Sequence, residues 1–404
     1  MKAARAFPRV TVTEKAEESI RKGHPWIYDT EIPDANDEIG NGELVDAVSV
    51  KGAYLGTGFL SKSSKIRIRL LGNNPNEKYD AAFFRRRIKY AVDYRRTVMK
   101  DDFPCCRLVF GEADGLPGLT VDRYESILSV QSASYGMEQR KGEIYEALFD
   151  VMKEYGVTVS IYERNDLSVR KLERLPEYKS WYEPIPHPET PFTEITENGI
   201  VYGVDIENGQ KTGFFLDQKY NRAAVGRIAE GKRVLDCFTH TGSFALNAKK
   251  GGAEKVTAVD ISDTALSQAK ANADRNGLEI DFVRADVFEL LTDMAERRER
   301  GYDFIILDPP AFTKSSRTVL DAERGYREIN YLAMKILPRG GYLATCSCSH
   351  FMESKMFLKA IKNAADDAGV TLKLAEARRQ SPDHPVLLGV PETDYLKFYV
   401  FQVV

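Results

Sequence analysis

Four aspartates recur in the second half of this chain at the ends of apolar runs, and their spacing restricts the fold more than any other feature. Val234-Leu235 leads to Asp236, Val256-Thr257-Ala258-Val259 to Asp260, Phe282-Val283 to Asp286, and Phe304-Ile305-Ile306-Leu307 to Asp308. Successive acids lie 24, 26 and 22 residues apart, the length of one strand, one helix and two short connections. Short apolar runs separated by helix-length segments describe buried parallel strands. All four carboxylates then belong to the carboxyl edge of one sheet, where ligands collect in open α/β folds. The run at 342–346 continues the series, and those at 371–374 and 396–401 bring the expected total to seven strands. The expected fold is therefore α/β, with a doubly wound, mostly parallel sheet.

The first turn of that sheet runs Cys237-Phe238-Thr239-His240-Thr241-Gly242-Ser243-Phe244. Its single glycine lets backbone approach a ligand but makes no phosphate cradle, which argues against a dinucleotide. An acid some twenty residues further on suits ribose hydroxyls. A ligand with a ribose, an adenine and a cationic, amino-acid-like tail fits this edge, which points to S-adenosylmethionine. The expected cofactor set is Asp236, Phe238, Thr239, Gly242, Asp260, Ile261, Asp286, Val287 and Asp308. The competing structural role for any one of the acids is a helix N-cap.

Two neighbouring strand ends carry further chemistry, Asp308-Pro309-Pro310-Ala311-Phe312 and Ser347-Cys348-Ser349. Prolines lack an N–H and fix φ, so Asp308 and Pro309 hold rigid acceptors toward the crevice. Such acceptors can grip an amino group or ring N–H of a base turned out of its stack. Phe312 either stacks on that base or packs. Carbon 5 of a pyrimidine is a poor nucleophile until a thiolate adds at carbon 6. Cys348 lies further past its strand than Cys346 and is the candidate nucleophile; Cys237 reads as packing. The catalytic set is thus Cys348, Asp308 and Pro309.

The front half supplies charge. Residues 51–100 hold thirteen lysines and arginines against three acids, although the whole chain of 404 residues carries a net −3. Lys65, Arg67 and Arg69 alternate with Ile66, Ile68 and Leu70, which predicts a strand with one basic face and one core face. Arg85 and Arg86 begin an amphipathic helix over 80–100 whose buried stripe is Phe83, Phe84, Ile88, Ala91 and Val92. These five cations are the expected RNA-binding set, acting chiefly on phosphates. Breaker sequences at 72–76 and prolines at 184–191 suggest three domains. They are a small β-barrel of short strands (1–73), a central α+β domain with a helix near 137–155 (74–190), and the doubly wound domain (191–404).

No apolar stretch of eighteen residues occurs, and the basic opening residues lack the apolar core of a secretory leader. Five irregularly placed cysteines form no disulfide framework, and no Cys-x-x-Cys or histidine cluster offers a metal site. A cytoplasmic protein with reduced thiols fits; whether it forms a homodimer stays open.

Several segments together resemble the bacterial ribosomal RNA large-subunit methyltransferase family that forms 5-methylcytosine and joins a PUA domain to a class I methyltransferase. They are Gly23-His24-Pro25-Trp26-Ile27-Tyr28, Gly111-Glu112-Ala113-Asp114-Gly115-Leu116-Pro117-Gly118-Leu119, Lys211-Thr212-Gly213-Phe214-Phe215-Leu216-Asp217-Gln218, the stretch from Gly340 to Ser349, and Arg379-Gln380-Ser381-Pro382-Asp383-His384-Pro385. The resemblance spans essentially the whole chain. It implies a PUA-like front barrel, ribosomal RNA as partner, Phe215 and Gln218 beside the cofactor, and Cys348 as nucleophile. Ala311 stands where a related branch carries a second cysteine, so the group that removes the carbon-5 proton is open, with Asp308 and a bound water as candidates. Two other readings stay open: an N-methyltransferase acting on a purine through Asp308-Pro309-Pro310, and an inactive RNA-binding assembly factor.

Overall fold

The computed structural model describes residues 7–33, 38–313 and 315–404. The basic opening at 1–6, read above for a leader, lies outside the described residues. Contacts divide the chain into two compact units. The first comprises residues 1–194, 204–216 and 382–393, and the second 195–203, 217–381 and 394–404.

The first unit holds two five-stranded sheets. One is mixed, in the order Arg9–Thr11, Leu44–Val48, Tyr54–Leu60, Ile66–Gly72, Trp26–Tyr28. Its core contains Val10, Ile27, Val45, Leu55 and Ile68. Gly58 is needed where two of its strands meet, because a Cβ there would lie 2.1 Å from the carbonyl oxygen of Arg69. Within the stretch read as strands and turns alone, Glu14–Arg21 is a helix. Thr13 caps it, accepting from the Ala16 amide, and Glu14 and Glu17 sit in the first turn with Arg21 in the last. Eight residues with one buried alanine are too short and polar to announce themselves by period.

The second sheet runs Tyr178–Trp181, Ser160–Asn165, Ile127–Ser132, Leu119–Tyr124, Cys105–Phe110. Helix Ala81–Met99 packs on it and on helix Lys141–Glu154. Asp80 caps the first of these helices, and all five residues of its expected apolar stripe are buried. The helix expected near 137–155 is two, Tyr135–Gln139 and Lys141–Glu154. They break at Arg140, whose guanidinium lies 4.6 Å from the centre of the Phe59 ring.

The second unit is the doubly wound domain. Its strands are β1 (Arg233–Cys237), β2 (Lys255–Asp260), β3 (Asp281–Arg284), β4 (Phe304–Leu307), β5 (Tyr342–Ser347), β6 (Leu372–Arg378) and β7 (Lys397–Val403). The order across the sheet is β3-β2-β1-β4-β5-β7-β6, and the strand count is the seven expected. β1 to β5 are parallel, while β7 runs antiparallel to β5 and β6. Side chains alternate between two cores. Leu235, Ile305, Leu307 and Leu343 meet the helices α3 (Val287–Glu296), α4 (Val319–Ile336) and α5 (Ser354–Ala368). Val234, Val256, Phe304, Ile306 and Ala344 meet α1 (Ser243–Lys250) and helix Lys219–Ile228. Helix α2 (Asp263–Asn276) follows β2. With both faces covered, polar chemistry is confined to the carboxyl edge. Among the described residues no helix is long and apolar enough to cross a membrane.

Candidate active site at the carboxyl edge of the sheet

β1 and β4 are neighbours at the centre of the sheet, and β5 is next. Asp236, Asp308 and the Cys348 loop are thereby brought to adjoining strand ends, with Asp260 one strand away on the other side of β1.

The turn after β1 is tightly wound. Phe238, His240 and Gly242 all have positive φ, at 64°, 50° and 79°, a conformation that costs non-glycine residues energy and clusters at functional sites. The turn is held by Thr239 N–H donating to the Val259 carbonyl at 2.9 Å, and by His240 N–H donating to Asp260 Oδ2 at 2.9 Å. Gly242 is the residue before α1, and a Cβ there would meet Leu246 Cδ1 at 2.7 Å.

The four acids differ in what they hold. Asp236 is fully buried; its Oδ2 accepts from Thr239 Oγ1 at 2.5 Å and from the Ala245 amide at 3.0 Å. Its Oδ1 is buried with no hydrogen-bond partner among the described residues. Burial pushes its carboxyl up to about 7, and the charges of Asp308 and Asp260 add to the rise. Asp260 also accepts from the Ser262 amide at 2.9 Å. Asp286 is the N-cap of α3, its Oδ1 accepting from the Phe288 and Glu289 amides. Both oxygens of Asp308 lie 3.2 Å from Gln218 Nε2, and Gln218 Oε1 in turn accepts from Asn221 at 2.6 Å.

Other expected residues divide. Ile261 is 62% exposed immediately after Asp260, an apolar surface at the edge that a flat ring can cover. The side chain of Val287, in the first turn of α3, lies in the core cluster that α3 shares with α4 and β4, so only its backbone is left for the edge. Phe215 belongs to the first unit, where Lys211 Nζ lies 4.5 Å from its ring centre. Phe312 packs on Tyr326, ring centres 4.6 Å apart, and on Phe288. Its ring is thus engaged by two others, the packing role weighed for it in the sequence.

The thiols separate by burial. Cys346 is fully buried inside β5 and Cys237 inside β1, and burial drives both thiols well above the ordinary value. Cys348 is half-exposed just past β5, with Pro309 buried beside Asp308 at the end of β4. Tyr326 and Lys397 went unnoticed in the sequence. Tyr326 of α4 places its hydroxyl 3.5 Å from Ser349 Oγ. Lys397 opens β7 and donates to the Ser349 carbonyl at 2.6 Å. Neither has a linear signal, because each is distant in sequence from the thiol loop it touches.

The basic segment of the first unit departs from expectation. Arg69 is 6% exposed and pairs with Glu173, Nη1 to Oε1 at 2.6 Å, so its place on a solvated basic face is corrected. The alternation had assigned its face, but the other side of that face is covered by Glu173 and Ser61. Arg67 is half-buried and donates to the Ser61 carbonyl at 2.9 Å. Lys65 is exposed. Arg85 pairs with Glu154, and Arg86 with Glu77 at 2.7 Å.

Residues 177–397 match the family described as S-adenosylmethionine-dependent methyltransferase, and residues 10–73 match a PUA-like domain. Ribosomal RNA large subunit methyltransferase I of Aeromonas salmonicida is 44% identical over 388 residues, covering 94% of this chain and 96% of that protein. The protein of the same name from Klebsiella pneumoniae is 39% identical over 402 residues and 98% of both chains. Among solved structures, a Streptococcus mutans chain assigned as a SAM-dependent methyltransferase superposes with a TM-score of 0.82 at 24% identity, over 98% of this chain and 100% of that one. A second, described as a methyltransferase complexed with SAH, gives 0.84 at 23% identity over the same shares. At that identity the two structures speak for the fold.

Proposed function

Because the chain belongs to the S-adenosylmethionine-dependent methyltransferase family, with a PUA-like domain ahead of the methyltransferase fold, we propose that it methylates carbon 5 of a cytosine in large-subunit ribosomal RNA through Cys348. The names of its relatives support the RNA. The observation that carries the chemistry is the half-exposed Cys348 at the strand end next to Asp308, while Cys346, two residues earlier, is sealed in the core.

The residues present fit the cofactor. Asp236 Oδ1 is a buried acceptor without a donor among the described residues, within the electrostatic reach of two further carboxylates, and a cationic amino-acid tail answers that need. Asp260 and exposed Ile261 offer a ribose acceptor beside an apolar surface for adenine. When bound, S-adenosylmethionine supplies an electrophilic methyl group to carbon 5. The Cys348 thiolate forms a bond from sulfur to carbon 6 and moves the ring's electron pair onto carbon 5. Asp308 and the Pro309 carbonyl accept from the base and hold its plane. Once the carbon-5 proton is taken, by Asp308 or a water it holds, the carbon–sulfur bond breaks and the thiolate is recovered. Lys65, with Arg67 beside it, holds phosphate, and the cytoplasm is where this chemistry takes place.

The test uses tritiated S-adenosylmethionine, unmodified large-subunit ribosomal RNA and nucleoside analysis of the digest. Label should appear in 5-methylcytosine and fall by at least about 10³-fold in C348A, with stability unchanged. Label in a methylated purine that survives C348A would transfer the reaction to Asp308-Pro309-Pro310 alone. Failure of the protein to bind the cofactor would favour an assembly factor.

A further inference from the structure

Lysine is almost never fully buried unless it is paired, yet Lys397 is 4% exposed at the start of β7. Its neighbours along that strand, Phe398 and Val400, serve the core, so packing alone gives no reason for an amine here. In register it stands opposite Ser347, the last residue of β5 before the thiol. Its Nζ donates to the Ser349 carbonyl at 2.6 Å and to the Tyr395 carbonyl at 2.8 Å. One lysine therefore grips the carbonyl of the residue after Cys348 and anchors it to the residues leading into β7.

We propose that Lys397 is a positioning residue for Cys348, fixing the thiol loop through the Ser349 carbonyl and favouring the thiolate by its charge. The proposal rests on the reading of Cys348 as nucleophile. Burial lowers the Lys397 ammonium to about 8, while the charges of Asp394, Cys348 and Glu353 pull it back up. That last attraction is mutual: a cation that is stabilised by the thiolate stabilises it in return. On the other sides of Cys348 stand Tyr326 and Cys346, whose own ionisation burial opposes. Near neutral pH these two contribute no charge; the charged groups about the thiol and its lysine are Lys397 itself, Asp308 at the adjoining strand end, and Asp394 and Glu353, which act on Lys397. Tyr326 adds a second tether, because its ring packs on Phe312 after Pro310 while its hydroxyl reaches Ser349.

The experiment follows the rate of Cys348 alkylation by iodoacetamide against pH, with the modified peptide identified by mass spectrometry, in wild type and K397M. The other four cysteines are buried, which makes the site-specific readout practical. In K397M the profile should move up by at least about one pH unit, a roughly tenfold loss of thiolate at neutral pH. Methyl transfer should fall in parallel and recover as the pH is raised, a rescue that a purely structural defect would not show. A folded K397M with the wild-type alkylation profile overturns the proposal. If K397M does not fold, wild type decides: a Cys348 that alkylates as an unperturbed thiol, near about pH 8.5, overturns it equally. Full methyl transfer by C348A would remove the nucleophile and with it any catalytic role for Lys397. An unmoved profile alongside an inactive C348A would remove Lys397 alone.

Discussion

The first unit and the carboxyl edge of the second treat buried charge in opposite ways. In the first, buried or half-buried arginines meet carboxylates: Arg69 with Glu173, Arg95 with Asp114, Arg107 with Asp122, Arg170 with Glu138. Arg95 also donates to the carbonyls of Arg107 and Asp383 at 2.9 Å. The body of the second unit does the same with Arg222 and Glu197, but at its carboxyl edge Asp236 is buried against neutral donors, and the charged groups that act on it are two more acids. A paired charge inside a fold specifies packing; a buried carboxylate left among carboxylates is held at a cost and awaits a cation. Both regions are charged, and only one is arranged for a ligand.

The largest effect expected from this contrast lies in the paired region. R95M strands Asp114 and should cost about 3–5 kcal/mol in urea unfolding. A loss below about 1 kcal/mol would mean that the pair is not the structural element described. Next comes D236N, which should weaken S-adenosylmethionine binding by roughly 10–100-fold in calorimetry, the range of a hydrogen bond to a charged group, without destabilising the fold. Unchanged affinity would remove Asp236 from the cofactor site.

The same residue predicts a pH dependence of smaller size. Asp236 titrates at about 7 when folded and near 3.9 when unfolded. The folded state therefore retains a proton that the unfolded state has lost, and stability declines as pH rises from about 4 to about 7. That slope should flatten in D236N, while wild-type cofactor affinity should weaken as pH falls below about 7; a pH-independent affinity would contradict the role. The smallest effect belongs to the surface. K65Q should reduce RNA affinity a few-fold and lower the salt slope by about 1, whereas R69M should act on stability. An R69M protein of normal stability and poor RNA binding would restore Arg69 to the basic face.

Much of the second unit was legible because its signals are local. Each parallel strand is a short apolar run, and each strand-end acid follows it directly, so Asp236, Asp260, Asp286 and Asp308 could be placed on one edge from spacing alone. The apolar stripe of helix Ala81–Met99 was equally plain. What escaped depends on partners far along the chain. Alternation shows that Arg69 shares a face with Lys65 and Arg67, yet Glu173, which buries it, lies 104 residues away. Asp236 read as one acid of four, and nothing in its sequence tells that Thr239 and the start of α1 close over it. Val287 follows an acid as Ile261 does, but the first falls on the inner side of a helix and the second on open surface.

The insertion of β7 between β5 and β6 has a consequence in time. β5 emerges from the ribosome about fifty residues before the strand that pairs with it, Ser347 waiting for Lys397. Domains tend to fold as they are synthesised, and β1 to β5 can form parallel pairs among themselves during that interval. The thiol loop, however, cannot acquire its Lys397 anchor until β7 has been made. A nascent chain can thus assemble most of the carboxyl edge while the Cys348 loop, held by Tyr326, still lacks its Lys397 anchor. The loop at the end of β5 is therefore completed late, after most of the chain has been made.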